Sequence, residues 1–228
     1  MKSIKDQSQN YIDLKKTLLR LDLNVPLKNS IIQDTTRIDK IIPTLLFLLK
    51  NNSKVIIISH IGRPKGKIVE NLSLKPVAER LEKILSSYPI FGPNQKIRLI
   101  KKNVSQINSD EVLINENEKI IMLENIRFSV EEENNDTNFA KKLSTFGDIY
   151  VNDAFSCSHR AHASIDKITN FLPSYSGIQF EKEVSALKKI TSEIKKPISC
   201  ILGGSKISSK IGIIKNLIPK LDNIIIVG

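Results

Sequence analysis

The sequence predicts an α/β protein: a Rossmann-like, doubly wound parallel sheet followed by an incomplete second α/β domain. Three observations carry that expectation. Short apolar runs alternate with longer amphipathic stretches through residue 153, the order that builds a parallel sheet covered by helices on both faces. Most of those runs lack polar alternation, as strands buried on two sides do. Polar and cationic residues collect just after them, where open sheets of this kind bind ligands.

Taken in order, the strands are TLLRLDL (17–23), KVIIIS (54–59), IRLIK (97–101), KIIML (119–123) and DIYVND (148–153). RIDKIIPTLLFLLKNN (37–52) has helical spacing, and Thr35 or Thr36 is placed to cap it. Pro43 argues against an unbroken helix there, because a proline removes one backbone donor. SLKPVAERLEKILSS (73–87) starts at Ser73 with Pro76 in its first turn, where proline is tolerated. TNFAKKLSTFG (137–147) ends at Gly147, and a short helix is expected near 161–170. GIQFEKEVSALKKITSEIKK (177–196) is one long helical pattern, with apolar residues at Val184, Leu187, Ile190 and Ile194 and a stop at Pro197. ISCILGG (198–204), SKISSKIGIIKNLIPKL (205–221) and NIIIVG (223–228) read as strand, helix and strand. About thirty residues cannot build an independent core. That unit is expected to pack poorly, with Ile224 and Ile226 under-buried.

The chain has 228 residues, 40% of them hydrophobic and 26% charged, the balance of a soluble globular protein rather than a disordered one. Its longest apolar runs are too short to cross a bilayer, and MKSIKDQSQN carries no apolar signal core. Two widely spaced cysteines give no disulfide framework, so a reducing, cytoplasmic setting is expected. The net charge of +11 raises nucleic-acid binding as an option. Most of the excess is lysine along helical faces, and aromatics are only 5% of residues, so neither a recognition helix nor a stacking surface is evident.

The arginines are placed differently. Asp22 and Asn24 end the first strand; Ser59, His60 and Arg63 end the second; Glu124, Asn125 and Arg127 end another. Asn152 and Asp153 end the next and are followed by Cys157, His159, Arg160 and His162, while Arg37 opens the first helix. Zinc would need four ligands, and no second Cys/His pair stands near this one. A Cys157 nucleophile with His159 as base, and a purely structural role for the histidines, are further readings. Arg37, Arg63, Arg127 and Arg160 on one rim of a sheet favour an anion clamp, because guanidinium forks match phosphate and carboxylate oxygens. GGSKISSK (203–210) is a second candidate: Gly203 and Gly204 let backbone amides approach an anion, and Lys206 and Lys210 share a helix face. It is not a Walker A sequence, and a glycine turn with solvated lysines reads equally well. Two anion sites flanking a long helix suit phosphoryl transfer, which needs positioning and positive charge.

Together these residues resemble phosphoglycerate kinases. The matching stretches are LLRLDLNVP (18–26), TRI (36–38), SHIGRPKG (59–66), LENIRF (123–128), YVNDAFSCSHRAHAS (150–164), FEKEV (180–184) and LGGSKISSK (202–210). The resemblance implies three parts: a phosphoglycerate-binding domain over 1–172, a hinge and interdomain helix over 173–196, and the start of a nucleotide-binding domain over 197–228. It implies that Asp22 and Asn24 hold the glycerate end of 3-phosphoglycerate or 1,3-bisphosphoglycerate, and that His60, Arg63, Arg127 and Arg160 grip the non-reacting phosphate. Arg37 would stabilise the phosphoryl group in flight, and Gly203, Gly204, Lys206 and Lys210 would meet the phosphates of Mg2+-ATP or Mg2+-ADP. His159 and His162 would support Arg160. A monomer is expected, with no nucleic-acid or membrane partner and no metal-binding side chains of its own. Ser156, Cys157 and Ser158 replace the family's glycine, small residue and alanine. Members of the family are about twice as long, so this stretch alone is expected to be inactive; the alternative is a stand-alone phosphoglycerate-binding module.

Overall fold

The computed structural model describes residues 2–112, 115, 117–192, 196–203 and 211–227. It opens with β1 (Lys2–Ser3), α1 (Gln9–Ile12), β2 (Lys16–Leu21) and a small hairpin of β3 (Leu27–Lys28) and β4 (Ile31–Ile32). Then come α2 (Thr36–Lys50), β5 (Lys54–Ile58), α3 (Lys75–Leu85), β6 (Ile97–Ile100), β7 (Ile120–Leu123), α4 (Val130–Glu133) and α5 (Thr137–Ser144). β8 (Ile149–Asp153), β9 (Ser174–Ser176), α6 (Ile178–Thr191), β10 (Ser199–Leu202), α7 (Ile211–Leu217) and β11 (Asn223–Ile226) complete the order.

Seven strands form one sheet in the order β1-β9-β8-β2-β5-β7-β6, with every neighbouring pair parallel. Its central strands are apolar on both faces. Leu19, Val55, Ile57, Ile120, Met122 and Val151 join the first core, with Ile38, Ile41, Leu45 and Leu48 of α2 and Val77 and Leu81 of α3. Their sequence neighbours Leu18, Ile56, Ile58, Ile121, Leu123 and Tyr150 join the second, with Phe139, Ala140 and Leu143 of α5. Adjacent strand residues point to opposite faces, so an unbroken apolar run fills two cores at once. Each fully buried Leu or Ile contributes roughly 1.5–3 kcal/mol.

From β2 the chain moves one way to β5, β7 and β6, then returns to place β8 on the other side of β2. That reversal leaves a crevice beyond the carboxyl ends of β2 and β8, the place where such sheets receive ligands.

Several local expectations change. Thr35 is the N-cap residue of α2, but its side chain caps no amide: Thr35 Oγ1 donates to Asp39 at 2.9 Å, and Asp34 Oδ1 accepts the Thr36 amide at 2.7 Å and its hydroxyl at 2.6 Å. α2 runs unbroken through Pro43, which lies on the exposed face of the helix. The helix expected near 161–170 is only a 3-10 turn at Lys167–Asn170. The Ala163 and Ser164 amides donate instead to Glu132, at 2.9 Å each, and are lost to a helical ladder. β1 and β9 escape the sequence reading because they are short and polar.

The chain divides into two compact units, Met1–Glu181 and Lys182–Gly228, and the division falls inside α6. In the first, Asp153 Oδ1 accepts the Phe180 amide at 2.8 Å, and Thr44 Oγ1 accepts the Ile178 amide at 3.1 Å while donating to Asp153 Oδ2 at 2.6 Å. A Cβ on Gly177 would lie 2.3 Å from Asp153 Oδ1. Lys5 pairs with Glu181 at 2.8 Å. In the second unit β10 and β11 pair in parallel. Ile226 is 73% exposed and Ile201 69%, with Ile224 at 37%.

Candidate functional site

Four strand ends and one helix start build a cleft of about 280 Å³. β2 supplies Asp22 and Asn24, and β5 supplies His60, Gly62 and Arg63. Arg127 comes from the loop after β7, Arg37 from the first turn of α2, and Ser156, Cys157 and Arg160 from the loop after β8. The structure thus gathers Asp22, Asn24, Arg37, His60, Arg63, Arg127 and Arg160 in one place, although Asp22 and Arg160 lie far apart in the chain.

Backbone and side-chain bonds hold these loops together. Asn24 Oδ1 accepts the Gly62 amide at 2.9 Å. Asn125 Nδ2 donates to the Ile61 and Leu72 carbonyls at 2.8 and 2.9 Å. Ser59 Oγ accepts the Leu23 amide at 3.2 Å and donates to the Leu21 carbonyl at 2.8 Å. Gly62 has φ +63, and a Cβ there would stand 2.7 Å from Leu72 Cδ2, so a larger residue meets both backbone strain and a clash.

The arginines differ in how they are held. Arg37 pairs with Asp22, whose Oδ2 also accepts the Ser156 hydroxyl. Arg127 is buried and donates from Nη1 to the Gly62 carbonyl at 2.9 Å. Its Nε lies 3.3 Å from Glu133 Oε1, an ion pair whose angle leaves that N–H without a hydrogen bond. Burial lowers its pKa, with Glu133 opposing; a guanidinium nevertheless keeps its charge. The side chains of Arg63 and Arg160 make no hydrogen bond or ion pair with a described residue. Burial, then Arg20 and Arg127, push the His60 pKa far below its ordinary value, so the ring is neutral.

The two downstream histidines do not support Arg160 through their side chains. His159 is exposed. His162 is buried with Nδ1 3.7 Å from Glu132 Oε1 and without a hydrogen bond; burial and Arg127 hold its pKa at about 4. Only the His162 amide reaches Arg160, through the carbonyl at 3.0 Å. In the second unit Gly203 follows β10, whereas Gly204, Lys206 and Lys210 lie outside the described residues.

The sequence reading passed over Arg20 and gave Ser156 no role. Arg20 had a usable signal: it is a charge set among Leu18, Leu19 and Leu21 of β2, and the structure buries it fully. A larger cleft of about 650 Å³ lies beside α3. It sets Lys75, Lys101 and Lys102 against Glu70, Glu79 and Glu124, so it carries no net preference for anions.

Comparison with known proteins bears on the fold and the family. The family model described as phosphoglycerate kinase matches residues 7–228. A phosphoglycerate kinase of Wolbachia pipientis subsp. Culex pipiens (strain wPip) is 47% identical over 214 residues, covering 94% of this chain and 52% of that protein. One from Coprothermobacter proteolyticus is 42% identical over 229 residues, covering 100% and 56%. Among solved structures, the phosphoglycerate kinase of Coxiella burnetii superposes with a TM-score of 0.82 at 34% identity, covering 99% of this chain and 54% of the other. That of Pyrococcus horikoshii OT3 gives 0.84 at 27%, covering 99% and 55%. The chain spans about half the length of the curated relatives it matches. With a parallel sheet that superposes on those structures and a family model matched along nearly all of its length, the chain belongs to the phosphoglycerate kinase family.

Proposed function

We propose that the cleft binds 3-phosphoglycerate or 1,3-bisphosphoglycerate, and that the protein to which this chain belongs moves a phosphoryl group reversibly between that acid and a nucleotide. The observation that carries the reading is the convergence of four arginines on one cleft, two of them with no partner among the described residues. A small ligand with two or more negative charges suits such a lining, and each charge-assisted bond contributes about 1.5–3 kcal/mol.

In this reading His60, Arg63, Arg127 and Arg160 hold the non-reacting phosphate. Asp22 and Asn24 meet the glycerate end, with its hydroxyl and carboxyl oxygens. Arg37 lies beside the carboxyl group and neutralises charge on the phosphoryl in flight. In the ATP-consuming direction a carboxylate oxygen attacks the γ-phosphorus, the bond to the β–γ bridging oxygen breaks, and ADP leaves. Catalysis then rests on alignment and charge rather than on a covalent intermediate. Gly203, Gly204, Lys206 and Lys210 meet the nucleotide phosphates. Mg2+ comes with the nucleotide and screens its phosphate charge. Among the described residues no group of three His, Cys, Asp or Glu side chains stands ready to hold a metal. No described helix is long and apolar enough to cross a membrane. Small-molecule ligands, a monomeric state and a cytoplasmic setting complete the proposal.

Calorimetry with 3-phosphoglycerate tests it. The 228-residue chain is expected to bind, and the double variant Arg63→Ala/Arg160→Ala to lose binding while keeping its fold. Absence of binding by the unaltered chain at millimolar ligand would refute the assignment.

A further inference from the structure

Beneath the cleft runs a line of buried polar groups that the ligand-gripping residues do not include. Arg20, in the middle of β2, is 0% exposed. Its Nη1 donates to the Leu21 carbonyl at 2.6 Å, Nε to Ser164 Oγ at 3.0 Å, and Nη2 bonds His60 Nδ1 at 3.0 Å. Ser164 extends the line: its hydroxyl donates to Glu132 Oε1 at 2.6 Å and its amide to Oε2 at 2.9 Å. Glu132 is also 0% exposed.

Proton inventory fixes the direction of this line. A guanidinium has donors only, so His60 Nδ1 accepts, and the single proton of the neutral ring sits on Nε2. Ser164 Oγ accepts from Arg20 and therefore sends its one proton toward Glu132. A fully buried guanidinium requires a counter-charge, and Glu132 supplies it. His60 lines the cleft. Its Nε2 has no described partner and is absent from the buried unpaired atoms, so Nε2 is the ring atom that opens on the cleft.

We propose that Arg20, steadied by Ser164 and Glu132, is a positioning residue that locks His60 as a neutral imidazole with Nε2–H directed into the cleft, ready to donate to a phosphate oxygen. The proposal rests on the anion-binding reading above. The charged and titratable groups facing His60 are Arg20 on β2, Arg127 after β7, and Arg160 and His162 after β8. Burial opposes an imidazolium most, and these basic groups oppose it further; Asp22, the acidic side chain that shares the cleft, is tied to Arg37. The cleft thereby gains a hydrogen-bond donor whose state does not follow pH across the neutral range, and the arginines alone supply the charge.

Nitrogen-15 NMR of the unliganded chain, labelled at histidine, reads the tautomer directly. His60 is assigned by the signals that vanish in His60→Gln. A pyridine-type Nδ1 and a pyrrole-type Nε2, unchanged from about pH 8 to about 5.5, are expected. An Nδ1–H tautomer, or an imidazolium forming in that interval, overturns the proposal. Sulfate stays doubly charged over the same range, so it probes the cleft without titrating. Its affinity for the unaltered chain should be flat with pH. Arg20→Lys keeps the positive charge but loses the planar fork. Its His60 should show mixed tautomers, and its sulfate affinity should fall about tenfold and tighten again as pH drops. An Arg20→Lys chain that retains the Nε2–H tautomer and a flat profile also overturns the proposal; if that variant does not fold, the NMR of the unaltered chain decides. The expected tautomer in a chain that binds neither sulfate nor 3-phosphoglycerate would refute the anion-binding reading while leaving the proton assignment intact.

Discussion

Arg63 and Arg37 line the same cleft under different constraints, and their substitutions should separate accordingly. Arg63 is exposed, with no described side-chain partner. Arg63→Ala should leave stability unchanged and weaken 3-phosphoglycerate binding about 10- to 100-fold, read by calorimetry. Arg37 is already tied to Asp22. In a full-length family member carrying this sequence, Arg37→Ala should lower kcat far more than it raises KM, which marks a contact strongest in the transition state. A second residue-level expectation concerns acid. The pKa of buried His162 falls from 6.5 in the unfolded chain to about 4 in the folded one, so between those values the unfolded chain binds more protons. Stability contributed by the neutral ring is therefore present above pH 6.5 and is lost as pH falls toward about 4. The unfolding free energy of the unaltered chain, read by urea titration, should drop across that window by up to about 1.4 kcal/mol per pH unit from this group. His162→Phe should flatten the slope. Glu132 and Asp153 act in the opposite sense, since burial raises both pKa values and their unfavourable terms grow as pH rises.

Elements explain why some of the design is readable from sequence and some is not. β2, β5, β7 and β8 stand out because both of their faces are buried, so apolar residues sit side by side in each, as in Leu18–Leu19, Val55–Ile58, Ile120–Leu123 and Ile149–Val151. β1 and β9 lie on the outer side of β8, where Lys2–Ser3 and Ser174–Ser176 leave no apolar signature. The start of α6 shows the same limit. FEKEV marks a helix, but nothing in it announces that Thr44 and Asp153 satisfy the first amides; those partners come from distant parts of the chain. Thr44→Val would strip a hydroxyl that serves both Asp153 and Ile178. It should cost about 1–3 kcal/mol in urea denaturation, because the buried Asp153 carboxylate and the part-buried Ile178 amide each lose a partner. Gly177→Ala should cost at least as much, since the new methyl must displace the Asp153 carboxylate.

At the scale of the molecule, the cleft-lining residues were legible as a set because all but Arg37 follow a strand, and a doubly wound sheet gathers such positions at one edge. What the sequence withheld was the supporting layer: Arg20, Ser164 and Glu132 meet only after folding, and His162 Nδ1 lies nearest Glu132 without hydrogen-bonding Arg160. The two units also differ in cover. The sheet of the first is enclosed by two cores, whereas β10 and β11 form a two-stranded pair with exposed isoleucines. Hydrogen exchange should accordingly be fast for the Ile225 and Ile226 amides and slow for those of Leu19 and Ile57. The position of β8 beside β2 has a consequence for biosynthesis. A ribosome delivers β2, β5, β6 and β7 well before residue 149, so one flank of the central strand waits bare on the nascent polypeptide. Arg160 emerges later still; a growing chain therefore holds most of its sheet before the wall of its cleft is complete.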